Sequence, residues 1–320
     1  MTLATARRGG AEVLLHDVLF GTFLLVCWLR FGAHLGFLSP DSLLYLALLA
    51  FEIGLIGWCS RRPTDLRWRV RLAYYPVAMN VPYVHLSTVL PKIGAPLRDA
   101  LLLRIDTRLF GTTPSLWMQA WTHPLLTEVL SLCYMLFIPY LFLSMFWYWI
   151  GPVPVLKRFY AGLFSAYAVG FFGYSLVPAA GPYLAMADRF SVPLTGWWFT
   201  RWSADMVTLG SNGVDIFPSL HCAASTLILF SDRRHLPWRF RLYLVPCVGL
   251  WLSTLYLRYH YLVDCVLGLL LAALAFRLAG LHRSAEPHQS RRPLTGDAAS
   301  PSMGPPVSVD APPRGHRLRA

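Results

Sequence analysis

Apolar residues run through this chain in long blocks separated by short polar stretches. A helix that crosses a bilayer needs about 20 mostly apolar residues. Eight blocks meet or approach that length, near 12–30, 42–59, 72–90, 124–150, 158–178, 218–232, 241–257 and 260–280. They predict an all-α fold, a polytopic bundle of about eight transmembrane helices. The first block carries His16 and Asp17 close enough to its end to reach the membrane interface. The sixth, PSLHCAASTLILFSD, is short and suits a span only where protein surrounds its polar end.

Between the third and fourth blocks lies APLRDALLLRIDTRLFGTTPSLWMQAW, which mixes Leu and Ile with Arg98, Arg104 and Arg108. It reads either as an amphipathic helix in the interface or as a connector covering the bundle. Residues 281–320 are rich in Pro, Ser, Gly and Arg and hold almost nothing to bury, which predicts a disordered basic tail. The chain thus divides into N-terminal transmembrane helices (1–93), a catalytic membrane region (94–280) and the tail (281–320).

Composition agrees with the blocks. Of 320 residues 56% are hydrophobic and 14% charged, against roughly 25% charged in soluble domains. The net charge of +12 does not indicate nucleic-acid binding, because the arginines fall in short loops and in the tail. That placement orients a membrane protein. Putting the amino terminus in the cytoplasm turns the basic loops 60–71, 151–157 and 233–240 inward, together with the tail. The six cysteines lie in or beside apolar blocks without a CxxC pair, so neither a metal site nor a disulfide framework is indicated.

In that orientation three polar patches share the outer face: LVPAAGPY (176–183), FPSLH (217–221) and LRYHYLVD (257–264). His260 and Asp264 are four apart and share a face of any helix. An aspartate that accepts from one imidazole nitrogen fixes the tautomer and raises the basicity of the other, the logic of an oriented nucleophile. Pro218 suits the first turn of a helix, whose free amides favour an anion. Ser219 adds a hydroxyl, and His221 can give or take a proton. Each string alone also fits an ordinary helix start. Together they point to phosphoryl transfer, with Arg258 as a phosphate-binding cation. Arg258 and His260 are two apart, so both can serve one phosphate only if the helix begins close to His260. Glu52, Asn80 and His85 are the remaining polar residues in the blocks. A carboxylate there is costly unless paired, and helix–helix hydrogen bonding is the default for the other two.

PSLH followed by HYLVD resembles the phosphatidic acid phosphatase type 2 superfamily, whose signatures are PSGH and SRxxxxxHxxxD. Leu220, the HYxxD form and the stretch IDTRLFGTTPSLW (105–117) are similar to the branch containing inositol phosphorylceramide synthases. The resemblance covers roughly residues 100–280. It implies a six-helix core and an integral membrane lipid phosphotransferase or phosphatase needing no metal or other cofactor. In that scheme His260 attacks phosphorus and becomes a phosphohistidine, Asp264 orients it, His221 handles the leaving and entering protons, and Ser219 binds phosphate. Ser253 fits the signature serine, but Thr254 stands where the signature has arginine. The first family motif, KxxxxxxRP, has no clear counterpart. Lys92, Arg98, Arg104 and Arg108 are candidates to replace its bases.

The implied partners are a membrane lipid substrate and, for transfer, a polyol or lipid acceptor. Water as acceptor would give a phosphatase acting on phosphatidate or isoprenyl phosphates. The loop 179–217, with Trp197, Trp198 and Trp202, either shapes an acceptor site or forms an interfacial aromatic belt. Two rival readings are a proton-coupled transporter or flippase using the intramembrane acids and a non-catalytic lipid-binding scaffold.

Overall fold

The structure is a computed structural model, and it describes residues 5–8 and 11–282. The expectation of a disordered tail falls on residues outside this set. The fold class is the expected one, a bundle of helices. One departure comes at the amino end, where Thr5–Arg8 (β1) and Ala11–Leu14 (β2) pair as an antiparallel hairpin.

Helices follow in close succession: α1 (Leu15–Leu35), α2 (Pro40–Arg61), α3 (Asp65–Ala78), α4 (Asn80–Lys92), α5 (Asp99–Phe110) and the short α6 (Pro114–Met118). Then come α7 (Pro124–Met135), α8 (Phe137–Ile150), α9 (Val153–Leu176), α10 (Pro182–Ala185) and α11 (Trp198–Gly210). The last three are α12 (Leu220–His235), α13 (Pro237–Tyr256) and α14 (Leu262–Leu278). Among the described residues, four stretches are long and apolar enough to cross a membrane: α1, α2, the α7–α8 pair and α9. The expected span 72–90 is broken at Met79, between α3 and α4. Proline supplies no N–H and crowds the preceding turn, and this segment contains Pro76 and Pro82 on either side of the break. α12 has only 16 residues and packs among α9, α13 and α14, so its short length is met by protein around it.

α9 is the central pillar. Its buried face carries Ala161, Gly162, Ser165, Ala166, Ala168 and Gly170, and small residues let helices approach closely where lipid removes the hydrophobic drive to associate. α1, α12 and α14 pack along it, so the N-terminal helices share one core with the later ones. Large apolar side chains such as Phe51, Ile53, Phe142, Phe146 and Val245 are exposed on the flanks. That outward apolar surface suits lipid rather than water.

His16 and Asp17 lie in the first turn of α1, at the end of the first span as expected, and are enclosed by protein. Both are buried, and Asp17 pairs with Arg71 and accepts from Tyr75 Oη. Tyr75 Oη also lies 3.0 Å from Glu52 Oε1, so the intramembrane glutamate has a partner. His85 joins α4 to α2 through Tyr45 at 3.2 Å and Asp41 at 2.8 Å. Asn80 instead donates back to the Pro76 carbonyl.

Candidate active site

The three polar patches meet at one end of the bundle, and backbone contacts fasten them together. α13 ends at Tyr256, and residues 257–261 turn the chain into α14. The Thr254 carbonyl accepts from both Tyr259 N (3.0 Å) and His260 N (2.9 Å), closing the turn, while Arg258 adopts φ +69°. Tyr183 N donates to the Arg258 carbonyl at 2.8 Å. Gly181 passes beneath the same turn: a Cβ there would lie 2.5 Å from the Tyr259 carbonyl, and its φ of +91° favours glycine in any case. Ser115 Oγ holds the His260 carbonyl from a third direction, at 3.2 Å.

The N-terminus of α14 is closed by carboxylates. Asp264 Oδ2 accepts from Tyr261 N at 3.1 Å, and Asp106 accepts from Leu262 N and Val263 N, both at 2.9 Å. Free first-turn amides carry the positive end of the helix dipole, so acids belong there. His260 therefore stands just outside α14 rather than on its face, yet its Nδ1 lies 3.2 Å from Asp264 Oδ1. That distance suits a charge-assisted contact whose hydrogen bond is not yet aligned. The helix does begin close to His260, as joint service with Arg258 requires.

α12 starts differently from the sequence expectation. Pro218 lies before the helix, and Ser219 is its N-cap, accepting from Cys222 N at 3.4 Å. Ser219 N donates to the Asp264 carbonyl at 3.1 Å, joining α12 to α14. The approach is tight, because a Cβ at Gly268 would collide with the Ser219 carbonyl. As first-turn residues, Leu220 and His221 carry N–H groups the helix cannot itself satisfy.

These contacts bring the reactive side chains together. His260 Nε2 lies 3.3 Å from His221 Nδ1 and 3.5 Å from Ser219 Oγ, with the two imidazole centroids 5.5 Å apart. If Nδ1–H of His260 faces Asp264, its Nε2 holds the lone pair and His221 Nδ1 is the donor between the rings. Tyr134 and Phe137 flank His221, with ring centroids at 5.0 and 4.8 Å. The arrangement can present a basic nitrogen, a proton carrier and a hydroxyl to one small anion.

The expected cations are placed elsewhere. Arg258 donates to the Val192 carbonyl and stacks on Phe190 at 4.1 Å, with neither histidine among its partners. Lys92 pairs with Asp41, and Arg98, Arg104 and Arg108 are exposed. α5 instead turns its acids inward: Asp99 accepts from Ala180 N (3.0 Å), Gly181 N (2.8 Å) and Tyr261 Oη (3.1 Å), and Asp106 holds α14 and Thr113. Thr254 is buried and serves the turn through its carbonyl, while its hydroxyl lies 3.3 Å from Cys265 Sγ. His260, Asp264 and Cys265 place metal-type ligand atoms within 4.8 Å of one another. Each already has a protein partner, the first two in one another and the third in Thr254.

A cavity of about 250 Å³ adjoins His221. Its walls are mainly apolar and come largely from α3, α4, α8 and α9, and Asp215, Gly210 and His221 line it too. Asn80, Ile138 and Phe142 on its lining are exposed at the flank of the bundle. Asp215 was not singled out in the sequence. It lies six residues before His221, outside the PSLH string, and only the fold shows that both face one space.

A family model described as the PAP2 superfamily matches residues 100–278, more than half of the chain. The chain belongs to the PAP2 superfamily. No curated protein matches the chain, and no solved structure does. The matched PAP2 segment runs from α5 to the end of α14 and contains both histidines, Ser219 and Asp264. PAP2 membership suggests a phosphatase or phosphotransferase, and a lipid substrate fits its membrane-spanning helices. The cavity wall formed by Pro76, Met79, Asn80 and Tyr83 lies outside the PAP2 segment.

Proposed function

We propose that this protein is an integral membrane lipid phosphotransferase or phosphatase that works through a phosphohistidine at His260. The observation that carries the reading is the line Asp264 Oδ1, His260 Nδ1, His260 Nε2, His221 Nδ1, with contacts of 3.2 and 3.3 Å at its two ends. Asp264 is the orienting group. Nε2 of His260 attacks phosphorus, the bond from phosphorus to the leaving oxygen breaks, and His221 gives that oxygen its proton. In the second half, His221 takes a proton from the acceptor hydroxyl, the acceptor oxygen attacks phosphorus, and the P–N bond breaks. The phosphate enters where the two rings now touch, so its binding replaces their direct contact.

Charge in the transition state spreads over the phosphate oxygens, so fixed donors contribute most. Ser219 and the first turn of α12 are the donors nearest at hand, since a helix N-terminus favours anions. Arg258 joins them on release of its guanidinium from the Val192 carbonyl. The residues present supply nucleophile, acid and orienter without a metal. The substrate lies in the outer leaflet if the basic loops are cytoplasmic. Between the two acceptors, transfer is favoured over hydrolysis by the 105–117 stretch similar to inositol phosphorylceramide synthases. In this chain that stretch contributes Asp106 and Ser115 to the His260 turn.

Purified protein is incubated with phospholipids labelled in the headgroup phosphate, with and without inositol or other polyols. The expected result is an acid-labile phosphoprotein that is absent in His260→Ala, and loss of turnover in His221→Ala. Activity unchanged in both variants ends the proposal.

A further inference from the structure

The cavity beside His221 is lined by one carboxylate, which the proposed reaction leaves unused. Asp215 lines it together with His221, Tyr83 and Gly210. Its carboxylate is held from two sides, by Tyr83 Oη at 2.6 Å on Oδ2 and by Ser211 Oγ at 2.8 Å on Oδ1. Each carboxylate oxygen can accept a second hydrogen bond. No Lys or Arg pairs with Asp215 among the described residues. The remaining walls are mainly apolar, with Met79, Leu141, Phe164 and Phe171 among them. A fixed carboxylate without a cation, on the wall of a mainly apolar space, is an acceptor placed to receive a donor from whatever fills that space.

We propose that Asp215 is a specificity-determining residue that accepts a hydrogen bond from a hydroxyl or N–H group on a long-chain alcohol whose reacting oxygen lies at His221. This rests on the proton-carrying role of His221 given above. The apolar walls take the chain, as they do in most small-molecule sites. His221 and Asp215 line the same cavity, so one ligand with its reacting oxygen at His221 can also meet the carboxylate. The same contact forms whether the alcohol leaves in the first half of the reaction or enters in the second, because one proton carrier serves both. A plain alkanol offers no such donor. Its chain would cover the Asp215 oxygens without replacing the water they lose, and a site built around a hydrogen bond rejects a ligand that cannot make it. The wall that carries Tyr83 lies outside the matched PAP2 segment, so this selection belongs to the N-terminal helices as well as to the catalytic ones.

The competing reading is that Asp215 only ties α4 to the turn before α12. Binding separates the two. The full-length protein in detergent is titrated with hexadecanol, with the hexadecane diol carrying hydroxyls on its first two carbons, and with the matching amino alcohol, and thermal stabilisation is read. The diol, the amino alcohol or both bind about tenfold tighter than hexadecanol, the size of one hydrogen bond to a charged acceptor. Which of them does so identifies the donor as hydroxyl or N–H. Asp215→Asn removes the preference, and Asp215→Glu restores part of it. Equal binding of all three alcohols by the unsubstituted protein overturns the inference, as does a preference that persists in Asp215→Asn. If Asp215→Asn does not purify as a folded protein, Asp215→Glu decides: a preference unchanged in size by moving the carboxylate overturns it. Formation of the phosphoprotein with equal alcohol binding sinks this inference alone. An Asp215-dependent preference in a protein that never forms phosphoprotein sinks the reaction instead.

Discussion

Two histidine–aspartate pairs are buried in this bundle at similar separations, and they are built for different ends. His16 Nε2 lies 3.5 Å from Asp17 Oδ1, and His260 Nδ1 lies 3.2 Å from Asp264 Oδ1. Around the first, the acid is saturated: Asp17 takes the Arg71 guanidinium, the Tyr75 hydroxyl and Leu14 N, and the His16 ring stands edge-on to Tyr75 at 4.1 Å, with its Nδ1 buried and without a partner among the described residues. Around the second, no Lys or Arg among the described residues completes the pair. The far nitrogen of His260 meets a second imidazole, and that imidazole faces a cavity. Pairing distance therefore does not mark a site. What marks it is the atom left over once the pair is made, and where that atom points.

Replacing the two aspartates should separate them most sharply. Asp264→Asn keeps an acceptor for Tyr261 N but removes the charge that orients His260 and stabilises its cation. Turnover falls by roughly 10³- to 10⁴-fold, as when a buried orienting carboxylate is neutralised elsewhere, while lipid binding changes little. Asp17→Asn leaves turnover per folded molecule within a few-fold of normal. Steady-state kinetics on both proteins decide, and comparable losses in the two would mean that the contrast drawn here is wrong.

The second effect runs the other way and is read in stability. Asp17→Asn strands the buried Arg71 guanidinium, and breaking one side of a buried ion pair costs about 3–5 kcal/mol. Its apparent Tm in detergent should drop by on the order of 10 °C. Asp17→Asn combined with Arg71→Met should recover much of the loss, because a pair replaced by apolar groups is often neutral. Failure of the double variant to recover would mean that the Asp17–Arg71 contact contributes more than the cancellation of two charges.

How far the sequence could lead follows the same division. The two motif strings were readable because their chemistry is local, with His260 and Asp264 four apart and Ser219 beside the start of a helix. The meeting of the strings could be argued from loop charges alone. What supports them could not. α5 looked like a surface helix whose arginines were its notable feature, and the fold puts Asp99 and Asp106 inward, where they hold backbone amides more than 80 and 150 residues away. No local pattern tells an acid on a solvated face from an acid that caps another helix. The same holds for Asp215 and Tyr83, 132 residues apart. The break at Met79 was nearer to view, since two prolines lie in the segment, but its apolar content read as one span.

Asp106 offers the smallest and most diagnostic test, since it touches neither histidine. Its two oxygens accept from Leu262 N, Val263 N and Thr113 Oγ1, so Asp106→Asn keeps one oxygen acceptor and turns the other toward donors with an NH₂ group. Loss of a helix cap of this kind costs about 1 kcal/mol, a drop of a few degrees in apparent Tm for a chain of this size. The effect on turnover should be larger than the effect on stability suggests, because the frayed residues are the ones that follow His260 and carry Asp264. A kcat lowered about tenfold with KM little changed is the expected signature of a loosened nucleophile. Asp106→Glu, which keeps the charge, should recover part of it. If kcat is unchanged in Asp106→Asn while Tm falls, α5 is a structural brace only, and the rigidity of the His260 turn comes from Thr254, Ser115 and Gly181 instead.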